Sequence, residues 1–258
     1  MINQKFLVDT VKRLTLPPKG ILAIDESAST CKKRFEKLGV PDTEEKRREY
    51  RELLVTAEGI ENYVSGYILF DETLRQKATS GASFASILQS KGIDIGIKVD
   101  GGTVDFPDHP GEKTTKGLEG LDERLKEYKN LGATFAKWRS VYTIGENTPS
   151  ESLMQANAEI FAKYATLCQE NDIVPIVEPE VLMDGAHDLE KCHQVTARNL
   201  QVVFEGLKSA NVYLPGIILK TNMAIPGEDS EVAVGAVEIA KSTVKCLKEN
   251  VPPEIGGI

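Results

Sequence analysis

Apolar residues fall into short runs separated by longer amphipathic stretches. The runs are Gly20-Ile-Leu-Ala-Ile24, Val64 to Phe70, Ile93 to Val99, Ala133 to Val141, Ile173 to Val177 and Gly216 to Leu219, and a seventh begins at Ile255-Gly-Gly-Ile258. Bounded by Gly, Pro and charge, such runs predict buried parallel strands. Between them the apolar period becomes helical. Leu153, Ile160, Tyr164 and Leu167 share one face of a helix predicted over 148–170. Thr148-Pro149-Ser150-Glu151 reads as its capping box, with Thr148 as N-cap. Residues 118–130 place Leu118, Leu121, Leu125 and Tyr128 on one stripe and stop at Gly132. Residues 230–248 do the same with Ala233, Val237, Ala240, Val244 and Leu247. The charge run Thr43 to Glu52, with Glu44 and Arg48 four apart, reads as the solvated face of a helix over 43–57.

Strand alternating with helix implies a parallel sheet with crossover helices. The pattern suits a (β/α)8 barrel or a doubly wound sheet. The absence of a Gly-x-Gly-x-x-Gly after the first run weakens the dinucleotide-binding version. No low-complexity linker or change of composition divides the chain, so residues 1–258 read as a single domain. The segment Gly101 to Gly117 reads as a long polar surface loop beside the mouth of the sheet.

Composition narrows the function. The formal net charge of −8 over 258 residues argues against non-specific binding to nucleic acid or to an anionic membrane. Residues 1–20 lack the apolar core of a signal peptide, and no run is long enough to span a bilayer. Four cysteines without a Cys-x-x-Cys and three scattered histidines make a zinc centre improbable and suggest reduced thiols in the cytoplasm.

The residues that terminate the apolar runs carry the chemistry. The first run ends in Asp25, the third contains Lys98, the fourth contains Lys137 and Arg139, the fifth leads into Glu178 and Glu180, and the sixth ends in Lys220. A charge on a buried strand is costly unless it is paired or lines a cleft. Side chains alternate along a strand, so Lys137 and Arg139 share a face, as do Glu178 and Glu180. In a parallel barrel these positions converge at the C-terminal mouth. Several cations and carboxylates together suit an anionic substrate and amine chemistry, and a lysine becomes nucleophilic when its pKa is depressed. Lys220 ends the most apolar run, so desolvation is expected to be strongest there.

At these positions the sequence resembles the class I, Schiff-base fructose-bisphosphate aldolases. The matching segments are Gly20-Ile-Leu-Ala-Ile-Asp-Glu-Ser27, Ile68-Leu-Phe-Asp-Glu-Thr73, Gly96-Ile-Lys-Val-Asp100, Phe135-Ala-Lys-Trp-Arg139, Ile176-Val-Glu-Pro-Glu180, Asp184-Gly-Ala-His-Asp188 and Leu219-Lys-Thr-Asn-Met223. The resemblance implies a (β/α)8 barrel that reversibly cleaves fructose 1,6-bisphosphate to dihydroxyacetone phosphate and glyceraldehyde 3-phosphate, with no metal and no cofactor, as a cytoplasmic homotetramer. It implies that Lys220 forms the Schiff base, Glu178 is the general acid/base, Asp25 assists carbon–carbon cleavage, Lys137 keeps the site cationic and Glu180 supports. Lys98 and Arg139 are implied as substrate and phosphate ligands, with Ser27 and Thr30 on the 6-phosphate side. His187 is expected to be a structural hydrogen-bonder.

Two small departures are Thr30, where the family commonly has Ser, and Gly101, where a basic residue often follows Lys-Val-Asp. The larger one concerns length. The first and seventh runs start 235 residues apart, about 39 per βα unit. Two further units at that pitch would take roughly 80 more residues. The expectation is therefore six βα units plus the start of a seventh strand, in a fragment of a longer polypeptide. The Ser-Gly-Gly loop, the Gly-Arg turn for the 1-phosphate and the C-terminal tyrosine of the family are not in this sequence. A non-catalytic scaffold built on the same fold, or another Schiff-base barrel lyase, stays open at this point.

Overall fold

The computed structural model describes residues 2–258. Its main sheet contains β1 (Gly20–Ile24), β2 (Val64–Leu69), β3 (Asp94–Lys98), β6 (Ala133–Tyr142), β7 (Val174–Val181) and β8 (Ile218–Leu219), hydrogen-bonded in that order. Every pairing in it is parallel. Helices α2 (Ala28–Lys37) and α3 (Glu44–Val55) follow β1, α4 (Asp71–Arg75) and α5 (Phe84–Ser90) follow β2, and α6 (Leu121–Asn130) follows β3. Helices α7 (Glu151–Glu170), α8 (Leu189–Ser209) and α9 (Ala236–Asn250) follow the last three strands. This is the expected partial (β/α)8 barrel, with six parallel strands of the eight that close one. The run at 255–258 supplies only a single parallel bridge, from Gly257 to Ile218. No helix among the described residues is long and apolar enough to cross a membrane.

The alternation along each strand sorts two layers. Ile24, Tyr67, Leu69, Ile95, Ile97, Ala136, Trp138, Val177 and Leu219 face the helices and join one large buried cluster. The opposite parity faces the barrel interior, where Ile68, Phe135, Val174, Ile176 and Ile218 form a second cluster. Helix α1 (Gln4–Thr15) seals that cluster with Leu7, Val11 and Leu14, all almost fully buried. The i, i+4, i+7 spacing of these three residues is an amphipathic signal that the sequence reading passed over.

One ring explains two glycines. Phe135 points into the interior, and a Cβ at Gly96 would lie 2.2 Å from its ring. A Cβ at Gly66 would stand 3.1 Å from the same ring and 2.5 Å from Leu14. Strand β3, beside the ring, and strand β2, one strand further on, therefore each give up a side chain around the aromatic ring and Leu14.

Several expectations need correction. The N-cap of α7 is Ser150, whose Oγ accepts from the Leu153 N–H at 3.1 Å, so the helix starts later than 148. The reciprocal half of the capping box comes from outside the helix: Glu112 Oε1 accepts the Ser150 backbone N–H at 2.6 Å. Glu112 lies in the segment expected to be a plain loop. That segment instead contains an antiparallel hairpin of β4 (Thr103–Asp105) and β5 (Lys113–Thr115). Leu118 precedes α6 rather than lying on it, although Gly132 does end that helix, at φ 99°.

The stripe expected on α9 is also displaced. The helix begins at Ala236, leaving Ala233 outside, and Val237 and Val244 are exposed. Cys246 is the buried residue, and Ser242 and Thr243 make the inward contacts, to His193 Nδ1 at 2.9 Å and from the Ala224 N–H at 3.0 Å. Polar hydrogen bonds thus set which face of α9 meets α8. On α3, Arg48 pairs with Glu45 and Glu52 rather than Glu44, and Arg51 is buried.

Gly96→Ala is expected to destabilise the fold by about 1–3 kcal/mol through overpacking against Phe135, read as a lower urea midpoint. The double variant Gly96→Ala/Phe135→Leu should recover part of the loss. Strict additivity of the two single losses would show that the ring and the glycine are not coupled.

Candidate functional site

The interior parity places one layer of charge at the C-terminal mouth. Lys98 and Lys137 are directly paired across β3 and β6, and Arg139 is paired with Glu178 across β6 and β7. Lys220 continues β8, its N–H bonded to the Val177 carbonyl at 2.9 Å. Asp25 continues β1 beyond Ile24. Strands separated along the chain thus deliver their terminal charged side chains into one space.

Four of these side chains form a continuous chain of contacts. Lys137 Nζ lies 2.7 Å from Asp25 Oδ2 and 3.0 Å from Glu178 Oε2. The other Glu178 oxygen, Oε1, accepts from the Lys220 ammonium. Lys137 and Glu178 side chains are each only 5% exposed. Burial works against the charge on Lys137, but the Glu178 and Asp25 carboxylates outweigh it and hold the ammonium above the ordinary lysine range. The site therefore keeps a fixed cation at its centre.

Lys220 departs from expectation. It is not the most desolvated lysine: its side chain is 45% exposed, against 5% for Lys137. Strand β8 is two residues long, and Lys220 borders an open trough of about 450 Å³ between β8 and β1, lined in part by Ile21, Ala23 and Ile218. Lys137 sits instead in mid-sheet, covered on both sides. The residue that is accessible is the one beside an acid, and the residue that is buried is the one between two.

The remaining expected site residues lie around this chain of contacts and outside it. Arg139 Nε bonds Glu180 Oε2, so these two pair with each other. Lys98 Nζ turns to Asp100, 2.5 Å from its Oδ1 and 3.0 Å from its backbone carbonyl. Ser27 is the N-cap of α2, its Oγ accepting from the Thr30 N–H at 3.3 Å and lying 3.1 Å from Thr30 Oγ1. Both hydroxyls stand at a helix N-terminus, where backbone N–H groups favour an anion. His187 hydrogen-bonds through its backbone carbonyl, which accepts from the Gly227 N–H at 2.8 Å, and its buried ring nitrogens have no partner.

Sequence reasoning missed two supporting residues. Thr115 Oγ1 donates to the Arg139 carbonyl at 2.8 Å, fixing the end of β6 to the hairpin. Asn222 Oδ1 accepts the Val181 N–H at 3.0 Å, tying the segment after β8 to the end of β7. Neither carries a charge, and charge was the signal followed. Among the described residues no cluster of three or more His, Cys, Asp or Glu side chains could hold a metal ion.

A family model for glycolytic, class-I fructose-bisphosphate aldolase matches residues 6–258. The chain belongs to the class I fructose-bisphosphate aldolase family. A probable class 1 fructose-bisphosphate aldolase of Xanthomonas campestris is 51% identical over 252 residues, covering 98% of this chain and 75% of that protein. Fructose-bisphosphate aldolase C-B of Danio rerio is 47% identical over 257 residues, covering 99% of this chain and 71% of that one. Among solved structures, Plasmodium falciparum fructose-bisphosphate aldolase in complex with TRAP and a small-molecule inhibitor superposes with a TM-score of 0.96 at 42% identity, covering 98% of this chain and 73% of that chain. The family match spans every strand that delivers a charge to the mouth.

The buried ion pairs make a pH-dependent contribution to stability. The folded state holds Lys137 above its ordinary pKa of 10.5, so protonated Lys137 favours folding. That contribution is complete below the ordinary value and is lost as pH rises through the folded one. Lys137→Met is expected to cost about 3–5 kcal/mol at neutral pH by leaving Asp25 without its cation and buried Glu178 with Lys220 alone. The gap between wild type and variant in urea denaturation should narrow in the alkaline range. A gap that is constant with pH would show that the charge on Lys137 is not what the fold uses.

Proposed function

We propose that this chain cleaves fructose 1,6-bisphosphate reversibly to dihydroxyacetone phosphate and glyceraldehyde 3-phosphate through a Schiff base on Lys220. The contact series Lys220–Glu178–Lys137–Asp25 carries the reading. Lys220 gives its proton to Glu178 Oε1, and the freed amine attacks the C2 ketone of the sugar phosphate. Glu178 returns a proton to the carbinolamine oxygen, and water leaves as the protonated imine forms. The iminium is the electron sink, so the C3–C4 bond breaks to an enamine instead of a free carbanion as a base takes the C4 hydroxyl proton. Glu178 serves as that base, and Asp25 assists cleavage from the far side of Lys137. The sink is organic, so the step needs no metal and no cofactor.

Lys137 has two roles in this scheme. As a fixed cation it favours an anionic substrate, and it holds both carboxylates toward one point. Arg139 and Lys98 offer cations to substrate oxygens, Glu180 orients Arg139, and Ser27 and Thr30 receive the 6-phosphate at the α2 N-terminus. Phosphate binding then positions the reacting carbons. A scaffold without catalysis has no use for a buried ammonium between two carboxylates, which is costly to desolvate. We place the reaction in glycolysis and gluconeogenesis, in the cytoplasm, with the chain as one domain of a homotetramer, on the family resemblance.

Borohydride reduction in the presence of dihydroxyacetone phosphate should leave one adduct, mapped by peptide mass to Lys220. Lys220→Met should abolish it, and chelator treatment should leave turnover unchanged. An adduct on another lysine in the folded protein would sink the assignment. Glu178→Gln is expected to lower kcat by about 100-fold or more, as loss of a general acid/base does, with KM changed far less. A KM effect of equal size would make Glu178 a binding residue.

A further inference from the structure

Arg51 lies within the charge run of α3 that the sequence presents as a solvated face, yet it is 1% exposed, while Leu53 on the same helix is 73% exposed. Burying a guanidinium is costly unless its donors are met, and here they converge on one turn of backbone. Arg51 Nε donates to the Ile24 carbonyl at 2.9 Å, and Nη2 donates to the Glu26 carbonyl at 2.9 Å. Nη2 also stands 3.1 Å from the Glu26 carboxylate, and Nη1 is 3.2 Å from Cys31 Sγ on α2. Ile24 and Glu26 are the two neighbours of Asp25. The planar fork thus grips the chain immediately before and immediately after Asp25, from the side opposite the barrel interior.

The grip extends further. Glu26 Oε1 accepts from the Tyr50 hydroxyl at 3.2 Å and pairs with Arg34 of α2. One buried guanidinium therefore joins α3, the end of β1 and the start of α2, where Ser27 caps the helix.

We propose that Arg51 is a positioning residue that sets the Asp25 carboxylate against Lys137 and, through the same turn, the Ser27–Thr30 anion end of α2. The inference rests on the aldolase reading of the site. Arg51 touches neither Lys220 nor Glu178, so imine formation is independent of it. Carbon–carbon cleavage, which needs Asp25 in place, is not. Lysine cannot substitute fully, because an ammonium lacks the flat fork that meets two carbonyls at once.

The test compares Arg51→Lys and Arg51→Met with wild type. Both should be trapped on Lys220 by borohydride with dihydroxyacetone phosphate to the wild-type extent. Turnover of fructose 1,6-bisphosphate should fall by about 100-fold in Arg51→Met, the scale of an ångström's misplacement of a reacting group, and less in Arg51→Lys. A second readout needs no turnover. Reductive methylation of Lys137, followed by peptide mass mapping, should be several-fold faster in Arg51→Lys than in wild type, because its Asp25 partner is no longer held. Unchanged Lys137 labelling in a folded variant overturns the proposal. So does a fall in trapping in proportion to turnover, which marks a merely structural loss. If wild type itself gives no Lys220 adduct, the aldolase reading fails, and Lys137 labelling still decides the clamp.

Discussion

The structure depends on one buried ammonium. Lys137 lies in mid-sheet with Asp25 on one side and Glu178 on the other. Burial works against the charge on Lys137, and the two carboxylates outweigh it. Lys137 and Glu178 belong to β6 and β7 and Asp25 directly follows β1, so the electrostatic requirement and the parallel topology enforce each other. Lys220 then meets a carboxylate already held in place from behind.

Burial and access are divided between the two central lysines. The sheet covers Lys137 and leaves Lys220 at its margin beside an open trough. A nucleophile has to meet a carbonyl carbon, and a fixed charge has to be kept from water.

The strands and the residues of the site were legible because parity carries both kinds of information. Apolar runs located the sheet, and the interior register that places Phe135 and Ile176 also places Lys137 and Glu178 two residues further along. Harder to read was whatever depends on contacts between distant segments. The completion of the α7 cap by Glu112 involves a residue 38 positions upstream. Arg51 looks like any other arginine of a charged helix, and only the position of the β1 turn 27 residues earlier shows that it is interior. On α9 the valines suggested one face and the hydrogen bonds of Ser242 and Thr243 chose another.

The floor of the barrel has a consequence for how such a sequence can diverge. Phe135 occupies the volume above Gly96, and Phe135 and Leu14 together occupy the volume above Gly66. These positions can vary only as a set. A smaller residue at Phe135 has to be matched by larger ones opposite; a methyl group at Gly96 has to wait for the ring to shrink, and one at Gly66 for Leu14 to yield as well. Changes at Phe135 and Gly96, two residues below the layer of Lys98 and Lys137, should therefore arrive together or not at all, and a change at Gly66 involves Leu14 too. The chemistry of the mouth is thus carried on a platform whose own evolution is stepwise and concerted.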